Sequence, residues 1–368
     1  MRYDVIIIGG GLSGLTAGIV LAKAGKQVAI VSTGQNSLHF NSGSFDLLGY
    51  DSEGNIIESP LEELEKLKEN HPYSKIGIEN IATLTEKAQA LLTEAGIKTV
   101  GNAQRNHLRL TPVGMLKPTW ITLEEYAIAE NGNHYPWKEV DLVNIRGFLD
   151  FPTTFLAAGL RKAGVTCHLH SVGTVRTDNA RKSPTEMRAT NIAKLLCTDE
   201  SIHELTTQLN NIYTKGEAIL LPAVFGFNER ETLSKLQSLS LKPLKVVATL
   251  PPSVAGVRTT IQLRKLFTHY GGTFLVGDSV ISGQIENGTL VSVQTEKLQD
   301  EMLYASHFIL STGSFISHGL SSDYNRVFEP IFNLDVDAPM HRADWTEEYI
   351  FDAQPYMEFG VKTDNSFH

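Results

Sequence analysis

The chain has 368 residues, of which 42% are hydrophobic, and its formal net charge is −9. This length can bury a sizeable core in two domains or in one large discontinuous domain. The acidic balance and the scattered Lys and Arg residues argue against nucleic acid as a partner, and no apolar run is long enough to span a bilayer. Two widely separated cysteines, Cys167 and Cys197, cannot hold an iron–sulfur cluster or build a disulfide framework, so we expect two buried thiols in a reducing compartment.

The first elements along the chain form a nucleotide-binding pattern. An apolar run, Val5 to Ile8, leads into Gly9-x-Gly11-x-x-Gly14, a helical segment, and a second apolar run from Val28 to Val31. This order predicts strand, phosphate loop, helix and strand. The first glycine makes the tight turn, the second leaves room for a phosphate, and the third lets helix and strand pack closely. The phosphate would then lie at the helix N-terminus, where unpaired N–H groups favour an anion.

The end of the second predicted strand lacks the acidic residue that usually binds an adenosine ribose. Residues 31–35 read VSTGQ, so Ser32 and Thr33 stand where an Asp or Glu is expected. Ser32 can bond a ribose hydroxyl only as a neutral partner. The loop therefore predicts a nucleotide or a flavin, without the usual recognition of an adenosine ribose.

A loop of small and hydroxylic residues, SLHFNSGSFDLLG, follows over residues 37–49. Loops beside a cofactor unit commonly carry function, so we expect this one to run along a flavin ring with Ser42, Gly43 and Ser44 as backbone or hydroxyl donors. A solvent loop made of turn residues is the alternative. His39 is a candidate proton carrier or covalent flavin attachment point, and otherwise a polar loop histidine.

Residues 51–257 are predicted to form an insert that is largely helical. Within it, Ser201 and Glu204 match a capping box that would start a helix reaching about residue 214. Further helices are predicted over 61–69, over 79–95 and from Pro152 to Ala163. Strands are predicted over 140–145, 165–169, 218–221 and 246–250.

Two stretches of the insert carry candidate substrate contacts. Leu108–Trp120 contains two prolines and a glycine, which predicts an irregular segment. It is either a substrate-facing loop lined by Arg109 and Lys117 or a packed structural loop. Arg258, at a helix start, is a candidate clamp for a substrate phosphate, and a surface arginine is the alternative.

The remaining segment returns to the nucleotide-binding pattern. A helix is predicted over about 260–270, followed by a strand over 273–276 and a hairpin whose turn is Asn287-Gly288. The next strand ends in Thr312-Gly313-Ser314, whose small side chains would let the backbone lie against a cofactor. The nucleotide-binding domain is therefore predicted to be discontinuous, with residues 1–50 and 258–368 on either side of the insert.

Several motifs together resemble one family of flavoproteins. They are GGGLSGL, SLHFNSGSFDLLG, LTPVGMLKPTW, RGFLDFPTTFLAAGL, LPAVFG, LPPSVAGVR, LSTGSFISHGL and PYMEFGVKTD. The most specific are His39-Phe40-x-Ser42-Gly43-Ser44 and Thr312-Gly313-Ser314-Phe315. Over essentially its whole length, the chain resembles the B subunit family of anaerobic glycerol-3-phosphate dehydrogenase.

This resemblance implies an α/β fold of the FAD/NAD(P)-binding, Rossmann-like flavoprotein type, with FMN as the cofactor and FAD as the alternative. It also implies a complex of three subunits. In that complex an A subunit carries the main FAD-dependent oxidation, and a C subunit with iron–sulfur clusters anchors at the membrane. The complex oxidises glycerol 3-phosphate to dihydroxyacetone phosphate and passes electrons to quinone in fumarate or nitrate respiration. The chain is then expected to be cytoplasmic and held peripherally on the inner face of the cell membrane by its partners, without inserting into it.

Two other functions stay open. One is a free-standing FAD-dependent dehydrogenase or reductase of another hydroxy acid, and the other is a non-catalytic assembly subunit. The chain stops at VKTDNSFH, where a further strand, a Gly-rich turn and a helix are expected to close a flavin site. We expect either that the sequence is truncated or that this member lacks the final piece, and a missing end gives the assembly role some weight. No metal site is predicted, and His39 and Arg258 are the catalytic candidates.

Overall fold

The structure is a computed structural model that describes residues 1–34, 36–129, 134–227 and 231–368. Gln35, the last residue of the VSTGQ segment at 31–35, lies outside the described residues. The chain divides into two compact units, which we call the nucleotide unit (Met1–Leu38 with Gln262–His368) and the insert unit (His39–Ile261). The sequence predicts domain boundaries at 50–51 and 257–258. The division into a flavin-binding domain and an insert at these boundaries stays a prediction.

The helices and strands of the described residues are as follows in chain order. The helices are α1 (Leu12–Lys23), α2 (Pro60–Glu63), α3 (Pro72–Ile76), α4 (Ile78–Glu94), α5 (Thr153–Lys162), α6 (Val175–Ala180), α7 (Ala189–Leu195), α8 (Asp199–Asn210), α9 (Glu231–Leu239) and α10 (Val254–His269). The strands are β1 (Arg2–Ile8), β2 (Val28–Ser32), β3 (Ser44–Phe45), β4 (Thr99–Gly101), β5 (His107–Leu110), β6 (Leu116–Thr119), β7 (Ile121–Leu123), β8 (Ile128–Ala129), β9 (Glu139–Ile145), β10 (Thr166–Val172), β11 (Ala218–Pro222), β12 (Leu244–Val247), β13 (Thr273–Val276), β14 (Val280–Glu286), β15 (Thr289–Thr295), β16 (Leu303–Leu310), β17 (Ser321–Ser322), β18 (Val327–Phe328), β19 (Val336–Asp337) and β20 (Gly360–Val361).

The nucleotide unit is built on a six-stranded sheet in the order β13-β2-β1-β16-β15-β14. Strands β13, β2, β1 and β16 are parallel, and Ile6 at the centre lies opposite Ala29 on one side and Phe308 on the other. The runs VIII and VAIV are continuously apolar because central parallel strands are covered on both faces. Strands β14 and β15 continue the sheet antiparallel. The predicted return of the chain to its nucleotide sheet is therefore confirmed, although β16 is only partly buried.

Helix α1 packs closely on this sheet because its inner face carries a glycine. A Cβ atom on Gly18 would lie 2.8 Å from the Ile30 side chain and 3.0 Å from the Phe267 ring. The helix ends before Gly25, which has a positive φ of 82°. The predicted strand–loop–helix–strand order is confirmed. The predicted hairpin turn is confirmed as well, since Asn287 and Gly288 have φ angles of 50° and 78°, as a type I′ turn requires.

The described residues of the insert unit form three sheets besides its helices. One is parallel, in the order β10-β9-β11-β12, and two are three-stranded and antiparallel, in the orders β3-β7-β4 and β6-β5-β8. Asp141 is fully buried in the parallel sheet, where it accepts hydrogen bonds from Lys242 Nζ at 2.7 Å and Thr214 Oγ1 at 2.6 Å. These bonds hold the pKa of Asp141 below its usual value even though its burial acts in the opposite direction.

The expectation that Leu108–Trp120 is irregular is wrong. Residues of this segment form β5 and β6, an antiparallel pair in which Arg109 lies opposite Lys117. Gly114, with φ 81°, lies in the turn between them. Pro118 is tolerated because β6 is at the edge of its sheet, where a missing N–H breaks no ladder of hydrogen bonds.

Three further expectations need correction. The helix predicted over 61–69 is only the single turn α2 followed by a 3-10 turn at Leu64–Lys66. Helix α8 is capped by Thr198, whose side chain accepts from the Ser201 N–H at 3.3 Å, and not by Ser201 itself. Cys197 is exposed, because it lies just beyond the end of α7, and Cys167 is only partly buried.

Candidate functional site

The glycine loop of the nucleotide unit is a tight main-chain structure between β1 and α1. Gly9 has φ 115°, and a Cβ atom there would lie 2.2 Å from the Ser311 carbonyl oxygen. A Cβ atom on Gly14 would lie 2.0 Å from the carbonyl oxygen of Gly9. No larger residue fits at either position without moving the backbone. These two glycines therefore serve the turn and the helix packing that the motif predicts.

Gly11 differs from both of these glycines. A Cβ atom on Gly11 would meet no described atom within 4 Å, and its φ of −77° suits any residue. Packing of the described chain therefore does not require a glycine here. Gly11 is also the N-cap of α1, where no side chain caps the helix and no acidic residue lies in the first turn. The open space and the helix N–H groups together fit a phosphate or pyrophosphate group.

The end of β2 lies directly beside this loop. Ser32 is buried, and a Cβ atom on Gly10 would lie 2.6 Å from Ser32 Oγ. Ser32 Oγ accepts a hydrogen bond from the Gly34 N–H at 3.2 Å, so its own hydroxyl hydrogen remains able to donate. Thr33 is exposed. Asn36, which the sequence analysis did not single out, donates from Nδ2 to the Gly10 carbonyl at 2.7 Å and fixes the loop from the same side.

The Thr312–Ser314 segment reaches the same loop from β16. A Cβ atom on Gly9 would lie 3.0 Å from the Thr312 nitrogen, so this backbone lies against the first glycine of the motif. Gly313 has φ 92°, and both Gly313 and Ser314 are exposed. Three predicted parts of the site therefore lie together at the carboxyl ends of neighbouring parallel strands, where α/β sheets bind their ligands.

The serine loop, residues 42–44, belongs to the insert unit and is held by its own main chain. Asn41 Oδ1 accepts from the Gly43 N–H at 2.7 Å, and Asn41 Nδ2 donates to the Ser44 carbonyl at 2.7 Å. The Gly43 carbonyl accepts from the Leu123 N–H at 2.9 Å. The Gly43 N–H is therefore already used within the chain. The side-chain groups of this loop that remain for a ligand are the hydroxyls of Ser42 and Ser44.

Both serine hydroxyls accept hydrogen bonds from one buried guanidinium group. Arg109 on β5 is only 2% exposed, and its Nε donates to Ser44 Oγ at 2.7 Å while its Nη2 donates to Ser42 Oγ. Accepting from Arg109 leaves each hydroxyl hydrogen free to donate elsewhere. The sequence alone indicates Arg109 only as one of two residues that could line a substrate-facing loop. No local pattern could have placed it on a serine 65 residues away.

Two further side chains belong to the surroundings of Arg109. The Tyr126 ring lies against Gly43, where a Cβ atom would be 2.3 Å from the ring carbon Cζ. Burial raises the pKa of the Tyr126 phenol well above its usual value. His107 shares a 2.7 Å hydrogen bond with Thr122 Oγ1, and burial together with the Arg109 charge lowers the pKa of His107 to about 4. Both groups are therefore neutral at pH 7.

The two catalytic candidates from the sequence lie in different surroundings within the insert unit. His39 is half-buried on a 3-10 turn at Ser37–Phe40, and its carbonyl oxygen accepts from the Ser253 N–H at 3.0 Å. Arg258 is buried and forms an ion pair with Glu125. Because that carboxylate matches its charge, Arg258 is a poorer candidate than Arg109 for binding a further anion.

Neither a metal-binding cluster nor a membrane-spanning helix occurs in the parts of the chain that the structure describes. Within residues 1–34, 36–129, 134–227 and 231–368, no group of three or more His, Cys, Asp or Glu side chains is placed to hold a metal ion. Among the same residues, no helix has the length and the apolar character needed to cross a membrane.

Comparison with known proteins places these features in a family. The family model described as FAD binding domain matches residues 4–368. The B subunit of anaerobic glycerol-3-phosphate dehydrogenase from Yersinia pestis bv. Antiqua (strain Antiqua) is 40% identical over 99% of this chain and 87% of its own length. The protein of the same name from Haemophilus ducreyi is 33% identical over 98% of this chain and 87% of its own length.

Likeness to solved structures is weaker. Glycine oxidase from Geobacillus kaustophilus is 13% identical, over 87% of this chain and 59% of its own chain, with a TM-score of 0.32. The family model, in contrast, supports a flavin cofactor and specifically FAD. It gives no support to FMN, the cofactor expected from the family resemblance of the sequence motifs.

Proposed function

The chain belongs to the B subunit family of anaerobic glycerol-3-phosphate dehydrogenase, and from this premise we propose that it is a flavin-dependent subunit of such an enzyme. The proposed reaction is the oxidation of sn-glycerol 3-phosphate to dihydroxyacetone phosphate, with quinone as the final electron acceptor. The observation that carries this proposal is Gly11, a residue at a helix N-terminus with open space where its side chain would be. A phosphate-bearing cofactor gives a physical reason for that space.

We propose FAD as the cofactor. Gly9, Gly11 and Gly14 would hold its pyrophosphate at the start of α1, where the helix dipole favours a negative charge. Ser32 and Thr33 would lie toward the adenosine ribose, with the Ser32 hydroxyl as a neutral donor. The backbone of Thr312, Gly313 and Ser314 would approach the flavin ring. Their sequence motif makes Ser42, Gly43 and Ser44 our remaining candidates for contact with the ring.

The chemistry removes two electrons and two protons from the secondary alcohol of the substrate. A bound flavin supplies the two-electron acceptor for this oxidation. The hydroxyl proton needs a base, and His39 is our candidate because it is the histidine of the loop that carries Ser42–Ser44. A base of this kind must reach the substrate hydroxyl within hydrogen-bond distance, which is the criterion by which His39 can be rejected.

We propose that the chain acts in a complex with an A subunit and an iron–sulfur C subunit. The relatives are named as B subunits, which supports a multisubunit enzyme, and the two cysteines of this chain cannot ligate a cluster by themselves. Electrons would therefore leave through another polypeptide. Attachment to the inner face of the membrane would depend on those partners.

The experiment that tests this proposal combines cofactor identification with turnover. The chain is purified alone and together with its A and C subunits, and the flavin released by acid is identified by absorbance and chromatography. FAD in the chain, and glycerol 3-phosphate oxidation that is lost without this chain, would support the proposal. Turnover by the chain alone with an artificial acceptor would favour a free-standing dehydrogenase. A colourless chain that still joins the complex would favour an assembly role.

A further inference from the structure

Arg109 is a buried cation without a carboxylate partner among the described residues. It is 2% exposed, and its described hydrogen bonds go only to the neutral hydroxyls of Ser42 and Ser44. Arg258, the comparable buried arginine of this unit, is matched directly by Glu125. Burying an unmatched charge is costly, so a buried arginine that lacks a counter-charge needs a compensating group.

The groups that the structure describes around Arg109 do not supply that compensation. Tyr126 and His107 are both neutral at pH 7, because burial raises the pKa of the Tyr126 phenol and lowers the pKa of the His107 imidazole. Asp46 is the nearby acid, but its carboxylate accepts from Lys117 Nζ at 2.5 Å and from Thr119 Oγ1 at 3.1 Å. Among the residues that the structure describes, the guanidinium charge of Arg109 is therefore in excess.

Hydrogen-bond donors are in excess at the same place. Arg109 Nη1 and the Tyr126 hydroxyl are both buried and both lack a hydrogen-bond partner in the described structure. Both groups lie against the short loop of residues 42–44, since Arg109 bonds to Ser42 and Ser44 while the Tyr126 hydroxyl is 2.6 Å from where a Gly43 Cβ atom would lie. Buried polar groups are nearly always satisfied, so unpartnered donors beside an unmatched cation are what a site for an anion requires.

We propose that Arg109, Tyr126 and the hydroxyls of Ser42 and Ser44 form a binding site for a phosphate monoester, the phosphate of glycerol 3-phosphate. This inference rests on the proposed function and deepens it by assigning the charged end of the substrate. Arginine suits a phosphate because its planar donors match phosphate oxygens in pairs, and the hydroxyls add donors of their own. The phosphate would supply the counter-charge that Arg109 lacks.

The test separates a binding role from a structural one through Tyr126. Because the Tyr126 hydroxyl has no partner in the described chain, Tyr126→Phe should leave the thermal midpoint unchanged or raise it. The same variant should weaken phosphate binding ~tenfold, since it removes a donor to a charged group. Arg109→Gln should weaken it by ~30-fold or more. Arg146→Gln, which removes an exposed arginine paired with Asp178, is the control of equal charge change.

The measurements use the flavin-loaded complex. The rise of the thermal midpoint in inorganic phosphate is compared with that in sodium chloride of equal ionic strength, because a ligand that binds only the folded state raises the midpoint. The KM for glycerol 3-phosphate and the released flavin per chain are measured on the same samples. The expected result is a lost phosphate response and a raised KM in both variants, with unchanged flavin content and a normal control.

Other outcomes overturn the proposal. If Arg109→Gln loses flavin while the remaining flavin-loaded enzyme keeps its phosphate response, Arg109 serves the cofactor and the proposal fails. If Tyr126→Phe keeps the wild-type phosphate response and KM, the proposal fails as well. Failure of the proposed function gives a separate result. The wild-type complex and the Tyr126→Phe complex would then both lack flavin, or neither would oxidise glycerol 3-phosphate.

Discussion

Two regions of this molecule are suited to negatively charged groups, and they are built in different ways. In the nucleotide unit, Gly9, Gly11 and Gly14 shape a main-chain loop whose donors are the N–H groups at the start of α1. In the insert unit, the donors are side chains that separate segments of the chain bring together around Arg109. The main-chain site depends on glycines, which have no side chain to block an anion. The side-chain site depends on the guanidinium charge of Arg109, which is buried in the folded chain before any ligand binds. The two should therefore respond differently to mutation and to pH.

The largest expected effect comes from enlarging the main-chain site at its tightest point. In Gly14→Ala the new Cβ atom would lie 2.0 Å from the Gly9 carbonyl oxygen, so helix and loop must separate. We expect a loss of about 3 kcal/mol or more in the free energy of unfolding, measured with denaturant. Gly360→Ala, where a Cβ atom meets nothing within 4 Å, is the matched control. Equal stability of both variants would contradict the packing described for Gly14.

The side-chain site should be sensitive to pH through His107. Its pKa is about 4 in the folded chain, below its ordinary value of 6.5, because burial and Arg109 disfavour its charged form. Between these values the unfolded chain binds the extra proton, so stability is fully present above about pH 6.5 and falls as the pH drops toward 4. His107 can account for roughly 3 kcal/mol of this loss.

His107→Gln should remove that part of the pH dependence. The check is denaturant unfolding of both proteins at pH 7 and at pH 4.5, with His203→Gln on the exposed face of α8 as the control. A His107→Gln protein that loses as much stability as the wild type on acidification would show that the lowered pKa of His107 does not cause this loss.

A smaller effect is expected from the serine that holds Arg109. Ser44→Ala removes the oxygen that accepts from Arg109 Nε at 2.7 Å and leaves a buried charged donor unpaired. A hydrogen bond to a charged group contributes about 2 kcal/mol, so the free energy of unfolding should fall by about that amount. Ser238→Ala, an exposed serine of α9, should change it little. A loss in the control as large as in Ser44→Ala would rule out this interpretation of the bond.

The same difference explains which features were predictable from the sequence. The glycine loop and the Asn287-Gly288 turn were found because each is encoded within a few neighbouring residues. The bond between Arg109 and Ser44 joins positions 65 residues apart, so neither residue carries a local sign of it. Pro118 was misread as a break because the sequence does not reveal that its strand lies at a sheet edge. The sequence does not indicate Tyr126 as a site residue, because only the folded structure shows that its buried hydroxyl has no hydrogen-bond partner among the described residues.

The most direct test of the central claim, that the glycine loop binds a flavin, uses Gly11→Ala. Its Cβ atom would meet no described atom within 4 Å, and its backbone angles suit alanine, so stability should change by less than about 1 kcal/mol. Released flavin per chain is then measured for the wild type, Gly11→Ala and the Gly360→Ala control. We predict a folded Gly11→Ala protein with most of its flavin lost and a control with full occupancy. A Gly11→Ala protein that retains wild-type flavin would contradict the account.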